Sequence, residues 1–349
     1  MLRYPRSVAT DTRFAGLEAG GGCAAKYSAA RLRELLAGFA PVASDDLLVG
    51  LAPADDAAVY RLSDEQALIV TTDFFPPMVD EPATFGAIAA ANALNDIFAM
   101  GGRPLLALSI AGFPETLELE APRAVLDAAA RTVQEAGAVL AGGHTIRTEE
   151  PLFGLAAVGT VHPEALWRKN AATPGDVVYV TKPLGTGLVL TAVRKGILGE
   201  AEYDAAVASM TALNAASADA IRPFEPHAVT DVTGFGLLGH AWEVAERSGV
   251  RIVLEAGALP ALPGAVQAAE AGVRTGGDPR NREFAGEAVS TAEVDEARVA
   301  LAYDPQTSGG LLVTLREELT AVWEATARTA GVTAVRVGAV EVGEGVVLR

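Results

Sequence analysis

Apolar residues recur along the chain in two rhythms. Alternation of period two marks strands at Ala57–Leu62, Ala67–Thr72, Pro104–Ala111 and Phe153–Val161, with a short one at Val139–Leu140. Helical spacing marks Ser28–Phe39 and Leu117–Ala136. A longer helix opens at Glu81-Pro82, with proline near its first turn, and runs to Met100, where Gly101-Gly102 stops it. A turn signal, Thr173-Pro174-Gly175-Asp176, then separates a second αβ run. There the pattern predicts strands at Val177–Thr181, Val229–Asp231, Val250–Leu254, Gly310–Leu315, Val335–Val340 and Val346–Leu348. It predicts helices at Gly187–Arg194, Ala205–Ile221, Phe235–Ser248 and near Arg316–Ala330. The Gly- and Pro-rich stretch 257–300 gives no clear rhythm. The expectation is α/β (α+β): two mixed α/β domains, at 29–170 and 171–349, behind a mobile Gly-rich segment, 1–28.

Length agrees with two domains, since 349 residues exceed the ~150 typical of one. Half the residues are hydrophobic, ample for large cores, and no low-complexity tract suggests disorder. The net charge is −17, which disfavours direct nucleic-acid binding and an anionic membrane surface. No run of ~18 apolar residues occurs and the N-terminus lacks a signal peptide, so a cytoplasmic protein with no membrane contact is expected. With one cysteine there is no intrachain disulfide and no multi-cysteine zinc site.

Four constellations could carry chemistry. The first is acidic. Asp55-Asp56 precede a strand, Asp73 lies at the end of the next, and Asn92 and Asp96 stand four apart on the predicted helix, so they share a face. Asp231 ends a strand in the second half. Any one Asp would ordinarily be a cap or turn former. Several in this arrangement suit a hard divalent cation shared with phosphates. The second is Gly20-Gly21-Gly22-Cys23-Ala24-Ala25-Lys26, where a nearby ammonium favours the thiolate. Residue types alone do not separate a reactive Cys23 from an incidental surface thiol, and the stretch misses a P-loop. The third is Ala141-Gly142-Gly143-His144-Thr145, whose glycines permit close backbone approach to phosphate oxygens, or simply a tight turn. The fourth is Gly234-Phe235-Gly236-Leu237-Leu238-Gly239, which fits G-x-G-x-x-G, with Glu255 ending the next predicted strand. Taken alone it argues for a dinucleotide-binding half, although Asp231 beside the turn would repel a pyrophosphate. Asp304-Pro305-Gln306-Thr307-Ser308-Gly309-Gly310 reads as a structured turn leading into a strand.

In this order, over nearly the whole chain, these segments resemble the selenophosphate synthetase family of aminoimidazole ribonucleotide synthetase-like ATP-binding proteins. The resemblance rests on Gly22-Cys23 with Lys26, Asp55–Tyr60, Thr71–Phe75, Asn92 with Asp96–Gly102, Ala141–His144, Thr230–His240 and Asp304–Gly310. It implies an enzyme that converts ATP, selenide and water to selenophosphate, orthophosphate and AMP with Mg²⁺. By the same resemblance Cys23 and Lys26 are catalytic, Lys26 engaging ATP phosphates, and Asp56, Asp96 and Asp231 hold Mg²⁺. Asp55, Asp73, Asn92, Gly143, His144 and Thr145 line the nucleotide site, the last three from the partner subunit of a homodimer formed through the N-terminal sheet. One departure is Ala25, where members often carry a second cysteine. The alternatives are a related ATP-dependent kinase or synthetase, which leaves Cys23 and Lys26 idle, and a dinucleotide-binding oxidoreductase, which explains only Gly234–Glu255.

Overall fold

The period-two segments become two separate mixed sheets. The computed structural model describes residue 22, residues 29–37, 44–51 and 54–349. The first half runs α1 (Ala29–Leu36), β1 (Leu47–Val49), β2 (Ala58–Arg61), β3 (Ala67–Phe75), α2 (Pro82–Ala99), β4 (Arg103–Phe113), α3 (Glu120–Glu135), β5 (Val139–Arg147) and β6 (Leu152–Val161). Its sheet has the order β1-β2-β3-β6-β4-β5, antiparallel except for the β4–β5 pair. The second half runs β7 (Asp176–Val180), α4 (Thr186–Arg194), α5 (Glu200–Thr211), α6 (Ala215–Ile221), β8 (Ala228–Asp231), α7 (Gly236–Ser248) and β9 (Arg251–Leu254). It continues with α8 (Ala265–Glu270), α9 (Asp278–Ala285), β10 (Val289–Ser290), α10 (Glu296–Tyr303), β11 (Leu311–Arg316), α11 (Thr320–Thr329), β12 (Val335–Glu341) and β13 (Gly345–Leu348). This sheet has the order β10-β13-β9-β12-β7-β11-β8.

α2 is the element on which both halves converge. Glu81 caps it, its carboxylate accepting the Ala83 and Thr84 N–H groups, and Pro82 follows in the first turn. Apart from Thr84, Asn92, Asn95 and Asp96 its sequence is apolar, as expected for a helix with no broad solvent face. Of its 18 residues, 15 are buried, against the first sheet, α3, and β8, α5 and α6 of the second half. Gly86 permits a close approach to α3: a Cβ there would stand 2.2 Å from the Val125 carbonyl oxygen. Inward-facing Ala67, Ile69, Thr71, Asp73 and Phe75 of β3 meet this helix, while Val70 and Phe74 point the other way and are exposed.

Three local expectations needed correction. β5 extends to Arg147, well beyond Leu140, because backbone pairing with β4 carries it where the side chains of Gly142-Gly143 give no pattern. Only glycine fits at 143, since a Cβ would lie 2.0 Å from Ser109 Oγ. The helix expected over Ala205–Ile221 is two helices, broken at Ala212–Asn214, where the buried Asn214 bonds to α2. The unassigned stretch 257–300 contains α8, α9, β10 and most of α10.

The Asp304–Gly310 turn has a structural duty that its sequence did not disclose. An α-helix begins with four N–H groups that lack intrahelical partners. At α4, Gln306 Oε1 accepts from Gly185 N (3.0 Å) and Thr186 N (3.1 Å), and Asp304 Oδ2 accepts from Gly187 N (3.0 Å) and Leu188 N (3.1 Å). Two side chains from one turn thus satisfy all four donors. Burial pushes the Asp304 carboxyl up to about 8, against the pull of these hydrogen bonds. An acid raised in the fold keeps a proton that the unfolded chain has released, so stability falls as pH rises from about 4 to about 8. Urea unfolding at pH 5 and pH 7 will show the chain losing stability across that interval. Asp304→Asn will lose distinctly less, and parallel losses in the two proteins would contradict this reading.

Candidate active site

The two sequence-predicted polar positions of α2 meet the two polar positions of β3. Thr71 and Asp73 alternate inward on the strand, and Asn92 and Asp96 lie one turn apart on the helix. Asn92 Nδ2 donates to Asp73 Oδ2, and Thr71 Oγ1 donates to Asp96 Oδ2. Asn92 Oδ1 in turn accepts from the backbone N–H of Ser308 (2.8 Å). Asn95 Nδ2 donates to Ser308 Oγ (2.9 Å), and Asn95 Oδ1 accepts from Asn214 N (2.8 Å). Ser308 is fully buried with φ 52°, an uncommon conformation for a non-glycine residue. Its carbonyl accepts from Lys182 Nζ (2.8 Å), which also donates to the Ala212 carbonyl (2.6 Å). Burial pushes Lys182 down to about 7, opposed by the charge of Asp231. Ser308, Asn95, Asn214 and Lys182 carry this arrangement, and sequence reasoning gave none of them a role.

The Asp55-Asp56 pair anchors a second polar centre. Asp55 behaves as a turn former: its carboxylate accepts from Asp56 N (2.9 Å) and from Lys169 N (3.1 Å) in the segment that joins the halves. Asp56 is buried. Its Oδ1 lies 2.6 Å from Lys169 Nζ and accepts from Thr230 Oγ1 (2.9 Å), while among the described residues Oδ2 has no hydrogen-bond partner. Lys169 Nζ reaches Glu243 Oε2 (3.4 Å) on its other side, and Arg247 pairs with Glu243 Oε1 (3.1 Å). His240 Nε2 accepts from Thr233 N (3.1 Å), so the ring proton sits on Nδ1 and is donated to Glu243 (3.0 Å). Burial opposes the charge on Lys169, but Asp56, Glu243 and Asp55 hold its ammonium above the ordinary lysine range. Burial likewise opposes ionisation of Glu243, yet Lys169, His240 and Arg247 bring it below the ordinary range. Asp56 itself is raised by burial, with Lys169 pulling it back. Lys169 and Glu243 were missed because nothing in their local sequence separates them from surface charges.

Asp231 ends β8, buried, one residue beyond Thr230. Among the described residues no group of three His, Cys, Asp or Glu side chains is already gathered to hold a metal ion. The carboxylates present are hard oxygen donors, and one or two such groups with substrate phosphates make an ordinary Mg²⁺ site. The buried Asp56 Oδ2 fits that use. Gly143, His144 and Thr145 lie on β5, the exposed edge of the first sheet. Two strands, β6 and β4, intervene between β5 and Asp73 of β3, a separation of about 14 Å at the usual strand spacing. The chain therefore does not bring these three residues to Asp73 within one subunit. Cys23 and Lys26 lie outside the described residues. Gly22, the residue before Cys23, is buried, and its N–H donates to the Pro76 carbonyl (3.0 Å). A Cβ on it would stand 2.8 Å from both Met78 Cε and Thr307 Oγ1.

The dinucleotide reading of Gly234–Gly239 is overturned. That reading needs the strands flanking the helix to be parallel neighbours. Here β8 and β9 are separated by β12, β7 and β11. Gly236 serves instead the packing of α7 on α10, since a Cβ there would lie 2.7 Å from the Tyr303 carbonyl oxygen. Glu255 pairs with Arg349 (2.9 Å).

Comparison with known proteins agrees with this architecture. Residues 54–161 match the family model for the AIR synthase related protein, N-terminal domain, and residues 173–349 match that for the C-terminal domain. A solved thiamine-monophosphate kinase from Stenotrophomonas maltophilia superposes with a TM-score of 0.66 over 91% of this chain and 94% of its own, at 24% identity, a likeness of fold. The selenide, water dikinase of Paraburkholderia xenovorans is 46% identical over 309 residues, 88% of this chain and 87% of its own. That of Pelobacter propionicus is 43% identical over 325 residues, 91% and 93% respectively. On the strength of this similarity over almost its whole length, the chain belongs to the selenide, water dikinase family, the ATP-dependent enzymes that make selenophosphate.

Proposed function

We propose that Asp56, Asp96 and Asp231 hold Mg²⁺, that Asp55, Asp73 and Asn92 position ATP, and that Cys23 and Lys26 act on the transferring groups. The observation that carries this reading is the buried Asp56 Oδ2, a carboxylate oxygen without a hydrogen-bond partner among the described residues. Such an atom is costly in a folded chain unless a cation or ligand meets it. In the overall reaction ATP gives up two phosphoryl groups, one to selenium and one to water, and leaves as AMP. Phosphoryl transfer of this kind depends on positioning and charge neutralisation more than on covalent help. Bound Mg²⁺ would neutralise charge on the polyphosphate beside Asp56 and Asp231. Asp73, held by Asn92, and Asp96, held by Thr71, keep fixed orientations. The Lys26 ammonium supplies positive charge to phosphate oxygens. Cys23 as thiolate is a soft nucleophile suited to handling selenium. Gly22 lies against Thr307, next to the Ser308–Asn92 bond, which favours delivery of the following residues to this site. We assign residues 1–28 to this catalytic segment, 29–170 to nucleotide and metal binding, and 171–349 to the second domain.

We also propose a homodimer. Val70, Phe74, Leu108 and Ile146 are exposed on the outer face of the first sheet, an apolar surface that an isolated subunit leaves uncovered. Pairing of two such faces would let Gly143, His144 and Thr145 of one copy serve the site of the other. Selenide and a free thiol both require a reducing compartment, so we place the reaction in the cytoplasm.

Phosphorus NMR of the anaerobic protein with Mg·ATP and selenide will show selenophosphate, orthophosphate and AMP. Cys23→Ser will lower the rate by about 100-fold or more, as loss of a positioned nucleophile does. Full synthesis by Cys23→Ser at low selenide would remove the thiol from the mechanism, and accumulation of ADP alone would contradict the proposed use of ATP. Sedimentation analysis will give a dimer for the native chain and a monomer for Phe74→Glu with Leu108→Glu. An unchanged dimer in that variant would place the interface elsewhere.

A further inference from the structure

Lys169 lies in the connection between the two halves, and no step above uses it. Its side chain is 5% exposed and is clasped by Asp56 on one side and Glu243 on the other. Its backbone is held as well: its N–H donates to Asp55, and its carbonyl accepts from Ser248 Oγ (3.3 Å). The ammonium therefore has no room to swing away from Asp56. What matters is which oxygen it occupies. Asp56 Oδ1 receives both Lys169 Nζ (2.6 Å) and Thr230 Oγ1 (2.9 Å), which uses the two lone-pair directions of an sp² oxygen. Asp56 Oδ2 is left over.

We propose that Lys169 is a specificity-determining positioning residue that selects Mg²⁺ over Ca²⁺ by restricting Asp56 to a single ligating oxygen. The inference rests on the reading of Asp56 as a cation ligand. Mg²⁺ takes about six oxygens in a near-ideal octahedron and is content with one oxygen from each carboxylate. Ca²⁺ takes roughly six to eight at longer distance and gains from carboxylates that chelate through both oxygens. With Oδ1 locked by an ammonium and a hydroxyl, chelation by Asp56 is closed, and the larger ion loses more than the smaller one. An ion pair that merely joined the two halves would behave differently: its loss would weaken both ions together.

The test is displacement of Mn²⁺, followed by electron paramagnetic resonance on the full chain with a non-hydrolysable ATP analogue, using Mg²⁺ and Ca²⁺ as separate competitors. Lys169→Met will raise the Ca²⁺-to-Mg²⁺ affinity ratio by about 10-fold, the scale on which partners of metal ligands act. Glu243 then keeps Arg247 but loses Lys169, so Lys169→Met with Glu243→Gln, which restores the local charge balance, will show the same rise. Thr230→Val, which withdraws the neutral donor and keeps the ion pair, will move the ratio in the same direction by about 3-fold. Lys169→Arg, which restores a donor to Oδ1, will return the ratio toward that of the native chain. An unchanged ratio in the Met variants and in Thr230→Val, with both affinities falling in parallel, would overturn the proposal. Mn²⁺ binding that survives Asp56→Asn undiminished would instead remove Asp56 from the cation site, and with it the ground for the proposal.

Discussion

A helix buried on every side has to satisfy any polar group it carries, and α2 imposes that requirement on the whole molecule. Asn92 and Asn95 are fully buried within it. A buried side-chain amide left without partners costs about 1–3 kcal/mol for each unmet group, a large share of the stability of a typical domain. The partners come from both halves of the chain. β3 supplies Asp73 to Asn92, the turn before β11 supplies Ser308 to both asparagines, and the break between α5 and α6 supplies Asn214 to Asn95. The two sheets are thus tied by directional bonds as well as by apolar contact.

The same bonds govern the site. Asp73 is oriented by an amide whose other end is fixed by Ser308, and Ser308 is fixed in turn by Lys182. The second tie, Asp56–Lys169–Glu243, crosses between the halves in the same way. Buried ion pairs of this kind add little stability over well-packed apolar residues, but removing one partner is severe. Their value here is geometric. They hold acidic side chains from the first half in fixed register against β8 and α7 of the second.

Those features legible in the sequence were those governed by short-range spacing. Asn92 and Asp96, four apart in an apolar run, announced one helix face, and the structure sets that face against Thr71 and Asp73. The Glu81-Pro82 start and the Gly101-Gly102 stop bounded α2 to within a residue. Features that depend on distant pairing were hidden. β5 continues through Gly142-Gly143 because β4 hydrogen-bonds to it, and no side-chain rhythm records that. Asp304 and Gln306 cap a helix more than a hundred residues earlier. Lys169 gains its meaning from Asp56 and Glu243, each far away in sequence. The Gly234–Gly239 pattern misled for the same reason: its glycines answer a steric demand from α10, and only the strand order reveals it.

α2 belongs to both halves at once, so that the arrangement of Asp73, Asn92 and Ser308 exists only while the two are joined. Native-state hydrogen exchange measures this directly in the native chain and in Ser308→Ala, which withdraws the acceptor from Asn95. Amides in α2 and in β11 will open with one common free energy, and the substitution will lower both by the same amount. Loss of protection confined to the turn 304–310, with α2 unmoved, would contradict it.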